Sequence, residues 1–91
     1  MITEAAVPRL ARGMKLRQDA AREDRWVVLG PERMFVPDAI ALEVLRLVDG
    51  ARSVAAIVDD LAARFDAPRA EILADVSALL EELAAKGVVT A

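Results

Sequence analysis

Residues 42–65 read LEVLRLVDGARSVAAIVDDLAARF, and the reading of this stretch decides the fold. Two apolar runs at helical spacing meet at DGARS, residues 49–53. In the first, Ile40, Val44, Leu47 and Val48 return every three or four residues, with Leu42 and Leu45 beside them. That spacing gives a helix a broad apolar side. Asp49-Gly50 is expected to end it, with Gly50 placed for the left-handed conformation that closes helices. Ser53 is the expected N-cap of the second helix. Along it Val54, Ile57, Val58, Leu61 and Phe65 recur at spacings of three and four. Helix, tight turn, helix is the outline of a DNA-binding motif. The rest of the chain decides whether it serves that purpose.

Downstream, Asp66 to Pro68 breaks the chain and restarts it, since proline suits a first helical turn. A third helix is expected to run to about Lys86 and stop at Gly87, leaving VVT at 88–90 for a last short strand. At ~100° per residue, the third helix carries Leu79, Ile72, Leu83, Val76, Leu80 and Leu73 in that angular order, in one stripe about 120° wide. Ser77 and Ala84 lie just beyond the Leu73/Leu80 shoulder, and small residues such as Ala70, Ala74, Ala78 and Ala85 line much of the rest.

Upstream the period changes. Pro37-Asp38 is a helix start, with Asp38 as N-cap. Before it, Met14 and Leu16 alternate with Lys15 and Arg17, the mark of a half-buried strand. The charged run DAAREDR (19–25) reads as a loop, RWVVLG (25–30) as a second strand, Gly30-Pro31 as a turn and ERMFV (32–36) as a third strand. Residues 1–13, with Pro8 and Gly13 and no period, read as a partly irregular N-terminal arm; residues 14–91 form the single domain. The fold class is α+β: three short antiparallel strands, then a three-helix bundle, in the manner of a winged helix-turn-helix.

Composition narrows the function. The 91 residues contain neither Cys nor His, so disulfides, thiolate metal sites and the usual neutral-pH proton shuttle are missing. No cofactor and no metal is expected. The adjacent carboxylates Asp59-Asp60 and Glu81-Glu82 point ~100° apart on their helices and do not converge. Ser53 and Ser77 have no His to activate them, and no GxGxxG or GKS/T phosphate motif occurs. The chain is therefore expected not to be an enzyme. Its apolar runs stop far short of the ~18 residues needed to span a bilayer, and its first residues lack a signal-peptide core. No membrane association and a cytoplasmic location are the expectations.

Charge speaks against DNA. The net charge is −3. Residues 1–36 carry seven basic and five acidic side chains, a balance of +2, while residues 37–91 carry five basic and ten acidic, a balance of −5. The third helix, the groove reader of a winged fold, has Arg69 and Lys86 against Glu71, Asp75, Glu81 and Glu82. Affinity for DNA rests largely on cations meeting phosphates, so no nucleic-acid partner is expected. A winged-helix DNA binder remains the alternative, as does a module that dimerises through its apolar face by exchanging N-terminal strands. Monomer and homodimer are both open.

Peptide binding fits better. A small sheet has open edges that an extended peptide completes as an added strand. Arg33, Met34, Phe35 and Val36 are the expected edge. Leu73, Ser77, Leu80 and Ala84 are the expected wall, with Arg69 at its start. Each of these residues has a plain structural role to set against this, as core or solvated surface. Arg25 and Arg33 would attract an acidic peptide.

The succession of Pro8, Leu10, KLRQD (15–19), VVLGPE (27–32), LVDG (47–50), SVAAIVDDLAARF (53–65), Asp75-Val76 and LLEELAAKGVV (79–89) closely resembles the PqqD family. The match spans about residues 7 to 89. Each motif alone is weak; their order and spacing are specific. The resemblance implies a peptide chaperone of pyrroloquinoline quinone biosynthesis, of the kind called a RiPP recognition element. Such a protein binds the precursor peptide PqqA and presents it to the radical SAM enzyme PqqE. It further implies that the peptide adds beside the third strand, here 32–36, and packs on the third helix, here about 69–84. Elements of this kind also serve other peptides. The chain departs from the family pattern at RMFVPDAI (33–40), where Pro37 replaces a Leu-rich run and, lacking a backbone donor, limits the third strand.

Overall fold

The computed structural model describes residues 2–22 and 24–91. Met1 of the expected arm and Glu23 of the expected loop lie outside the described residues. In chain order the elements are β1 (Arg9–Leu10), β2 (Lys15–Gln18), β3 (Trp26–Gly30), β4 (Arg33–Phe35), α1 (Ala39–Leu45), α2 (Val54–Phe65), α3 (Arg69–Ala85) and β5 (Val89–Thr90). This is the expected α+β arrangement, with the three-strand meander ordered β2-β3-β4. Both of its pairings are antiparallel: Lys15 faces Leu29 and Leu16 faces Val28 on one side, and Leu29 faces Met34 and Val28 faces Phe35 on the other.

The helix boundaries follow from local chemistry. The Asp38 carboxylate accepts from the Ala41 N–H at 2.8 Å, and the Ser53 hydroxyl accepts from the Ala56 N–H at 3.2 Å. Each thereby satisfies one donor that a helix start leaves orphaned. Asp66 closes α2 in the left-handed conformation, with φ 48°, and Gly87 follows α3 with φ 77°. The first helix departs from expectation. It ends at Leu45, four residues before Asp49, because Leu47 and Val48 bond back three residues to the carbonyls of Val44 and Leu45. Such tightened turns keep the apolar period going after the α-helix has stopped. Gly50 is left-handed as expected, but it serves the loop, where Asp49 accepts from the Ala51 and Arg52 N–H groups.

The N-terminal arm is tied down. Arg9 and Leu10 pair with Thr90 and Val89, joining strands from opposite ends of the sequence. Before them, the carbonyls of Ala6 and Glu4 accept from the Val54 and Ala55 N–H groups. With the Ser53 hydroxyl, they complete the cap of α2. The core gathers Val28, Val44, Leu45, Val54, Ile57, Val58, Leu61, Val76, Leu80, Leu83, Val88 and Val89, and no polar or charged residue is buried among the described residues.

Candidate peptide-binding site

Among the described residues strand β4 pairs only with β3, so its outer edge is open. It leaves the hairpin turn at Pro31-Glu32, where Glu32 takes a left-handed φ of 58°. Phe35 points inward, half-buried against the core. The Lys86 ammonium, at the end of α3, lies 5.6 Å from the Phe35 ring centroid, and the Arg33 guanidinium donates to the Lys86 carbonyl. The start of β4 is thus clamped to the end of α3. Met34 is 58% exposed and Val36 47%.

Moving from β4 into α1, the space beside α3 opens. A cavity of about 360 Å³ lies between the three helices. Its walls are Ala39, Ile40, Glu43 and Val44 of α1, Leu61 and Phe65 of α2, and Ile72, Asp75, Val76 and Leu79 of α3. Ile40 is 71% exposed and Phe65 56%, so large apolar side chains stand at its mouth. Of the two acids in the lining, Glu43 is matched by Arg64, which reaches it at 2.9 Å and Asp60 at 2.8 Å. Those two carboxylates, Asp60 first, hold the Arg64 guanidinium above its ordinary pKa. Asp75 has no ion-pair partner among the described residues. An open strand edge and an apolar pocket with few charges are the two features that suit an extended chain, the one for its backbone and the other for its side chains.

The residues expected from the sequence divide. Arg33, Met34, Phe35 and Val36 lie together along the β4 edge and just beyond it. On α3 the residues of the expected wall differ in exposure. Leu80 is fully buried in the core, Leu73 packs half-buried against that core, Ser77 is half-buried and Ala84 is exposed. None of the four lines the cavity. Arg69 holds Asp59 and Glu4 at 2.6 Å each, which raises its pKa, the bond to Asp59 contributing most. It therefore ties the arm to α2 and α3. The cavity takes the opposite shoulder of the same apolar stripe, Ile72 and Leu79, together with Ile40 and Phe65 from the neighbouring helices. The signal for these was present in the exposed ends of the α1 and α2 apolar runs, but it was indistinguishable from core.

The adjacent carboxylates diverge: Asp59 pairs with Arg69 and Asp60 with Arg64, while Glu81 accepts from the Ile2 N–H and Glu82 pairs with Lys86. No helix among the described residues is long and apolar enough to cross a membrane.

Comparison with known proteins agrees with this architecture. A PqqA binding protein of Rhodopseudomonas palustris (strain BisB5) is 55% identical over 89 residues, covering 98% of this chain and 86% of that protein. The PqqD truncation of Methylobacterium extorquens PqqCD is 41% identical, with a TM-score of 0.77 over 100% of this chain and 96% of that one. Its solution NMR structure represents a functional, stand-alone RiPP recognition element. The crystal structure of PqqD from Xanthomonas campestris matches at 44% identity and a TM-score of 0.57, with 94% of each chain covered. The model of the family described as coenzyme PQQ synthesis protein D matches residues 25–89, and with the similarity running through sequence and fold alike, the chain belongs to the PqqD family.

Proposed function

We propose that this chain is a non-catalytic peptide chaperone. It binds the precursor peptide PqqA by strand addition and presents it to the radical SAM enzyme PqqE in pyrroloquinoline quinone biosynthesis. The observation that carries the proposal is the open edge of β4, followed a few residues along the chain by an apolar cavity among the three helices. The names of the relatives support it, as PqqA binding proteins and a RiPP recognition element. In this reading Arg33 to Val36 offer backbone groups, and the α3 contact centres on Ile72, Asp75, Val76 and Leu79, with Leu73 and Leu80 as its buried support. Backbone pairing supplies much of the affinity and the cavity supplies the selectivity.

An amide NMR titration with a PqqA peptide tests this, with a scrambled peptide and a DNA duplex as controls. Shifts are expected at 33–36, 39–43 and 72–79 with PqqA alone. Specific shifts with the duplex only would overturn the reading in favour of a DNA-binding winged helix. A paired substitution sharpens the test. Alternate residues of an antiparallel strand direct their N–H groups to opposite sides, so of Met34 and Phe35 one donates to β3 and the other faces the open edge. Proline at the edge-facing position is expected to weaken peptide binding and keep the fold. Folded proteins with unchanged affinity at both positions would sink strand addition at β4.

A further inference from the structure

The solvent-facing side of the meander carries a patch with no occupant in the fold. Strand alternation and register place Lys15, Leu29 and Met34 in one row across β2, β3 and β4, facing away from the core-facing row of Leu16, Val28 and Phe35. Arg17 and Val27 form the next outward pair, and Val36 follows β4 in the chain, two residues beyond Met34. Val27 is covered, but Leu29 is 42% exposed, Met34 58% and Val36 47%. Lys15 and Arg17 border these apolar side chains and carry no ion pair among the described residues, the Arg17 guanidinium donating to the carbonyl of Leu16 at 3.0 Å. Six other cations of the chain, Arg22, Arg25, Arg52, Arg64, Arg69 and Lys86, do hold carboxylates. Between Glu4 and Asp19 the sequence has four basic residues and no acid.

We infer that this face is the docking surface for the enzyme that modifies the bound peptide, engaged through an apolar patch on that enzyme edged with carboxylates. The inference rests on the function proposed above. Three features select this occupant. Exposed Leu, Met and Val match an apolar protein surface and offer nothing to phosphates. Lys15 and Arg17 have no counter-charge among the described residues of a protein that is acidic overall, so a partner supplying carboxylates gains complementarity and a faster encounter. A second copy of the chain seated face to face brings no carboxylate from this patch. The face is also continuous with the proposed peptide edge. A strand added to β4 turns every second side chain outward beside Met34 and Val36, so the enzyme meets one composite surface of sheet and peptide.

Substitutions on β2 and β3 test this: Leu29 is the cross-strand neighbour of Met34, while Lys15 and Arg17 lie one strand further from the β4 edge, and none of the three lines the cavity. The probes are a PqqE enzyme and a PqqA peptide. Affinity for the enzyme is measured with and without peptide for the unchanged chain, for Leu29→Glu and for the double reversal Lys15→Glu/Arg17→Glu. Both variants are expected to weaken enzyme binding about tenfold or more, and the double reversal, a strand away from β4, to keep peptide affinity within about twofold. Melting curves verify the fold; should Leu29→Glu not fold, the exposed double reversal still decides. Unchanged enzyme affinity in the folded variants overturns the inference. Binding to phosphatidylglycerol vesicles that the double reversal abolishes, with enzyme affinity unaltered, overturns it in favour of a lipid surface. If the unchanged chain binds the enzyme through Leu29 but ignores PqqA, the docking face stands and the peptide reading fails.

Discussion

Leu79 and Leu80 are consecutive in the sequence and belong to different parts of the molecule: Leu79 lines the open cavity, while Leu80 is fully buried in the core. The ~100° step between neighbours on a helix separates them. Leu80→Ala is expected to cost about 2–5 kcal/mol of stability, the usual range for a large-to-small core change. Leu79 lines the cavity while also packing half-buried against the core, so Leu79→Glu is expected to cost less stability than Leu80→Ala and to weaken PqqA binding about tenfold or more. Loss of stability in the Leu79 variant, with peptide affinity intact, would place that side chain in the core and empty the proposed site.

The arm acts as a cap. Because the carbonyls of Glu4 and Ala6 accept from Val54 and Ala55, deleting residues 1–6 leaves those two donors to water. Amide exchange at Val54 and Ala55 is expected to accelerate. Global stability is expected to fall by about 1–3 kcal/mol for two hydrogen bonds at ~0.5–1.5 kcal/mol each. Protection unchanged at both amides would show that the arm does not hold the helix start.

Two glycines are expected to respond differently to alanine. Gly87 has φ 77°, and a Cβ there would lie 3.1 Å from the Arg33 guanidinium. Gly87→Ala combines left-handed strain of roughly 1–2 kcal/mol with a push on the link between β4 and α3. At Gly30 the added carbon would approach the Met14 sulfur to 2.5 Å. That sulfur is the far end of a flexible side chain, which can swing aside. Denaturant midpoints are expected to drop more for Gly87→Ala than for Gly30→Ala.

One acidic transition is assignable. The Arg52 and Ala51 N–H groups donate to the Asp49 carboxylate and hold its pKa below the ordinary 3.8, with Arg52 contributing most. A carboxyl with a depressed folded pKa contributes stability above its unfolded value and loses it as pH falls through the folded one. The α1–α2 turn is therefore expected to loosen only below about pH 4. Carbon-detected NMR titration of Asp49 checks the value, and Asp49→Ala is expected to remove that part of the acid dependence. A titration midpoint at or above 3.8 would contradict the geometry.

Most of the fold was legible from single residues with unambiguous jobs. Asp38 and Ser53 capped the helices they were expected to cap, Asp66 to Pro68 broke the chain between α2 and α3, and Gly87 ended α3. Three features were not legible, each for its own reason. The last short strand, expected at 88–90, is present as β5, but its partner β1 is two residues long and lies at the other end of the sequence, too short for any period to show. The first helix stops at Leu45 while Leu47 and Val48 continue its apolar rhythm in tighter turns. The helical wheel of α3 arranged the stripe in order but carried no information on which neighbour lay beyond each shoulder. Contacts distant in sequence supply that: Arg69 with Glu4 and Glu81 with Ile2 bring the arm onto one flank of α3, and Ile40 and Phe65 border the other.

The clasp of Arg9 with Thr90 has an architectural consequence. The pair roots the arm, which then crosses the start of α2 and reaches α3, where the Ile2 N–H donates to Glu81. A tether placed after β5 would therefore pull on the root of the arm, and the load would pass to the cap of α2 before it reached β4 and its cavity.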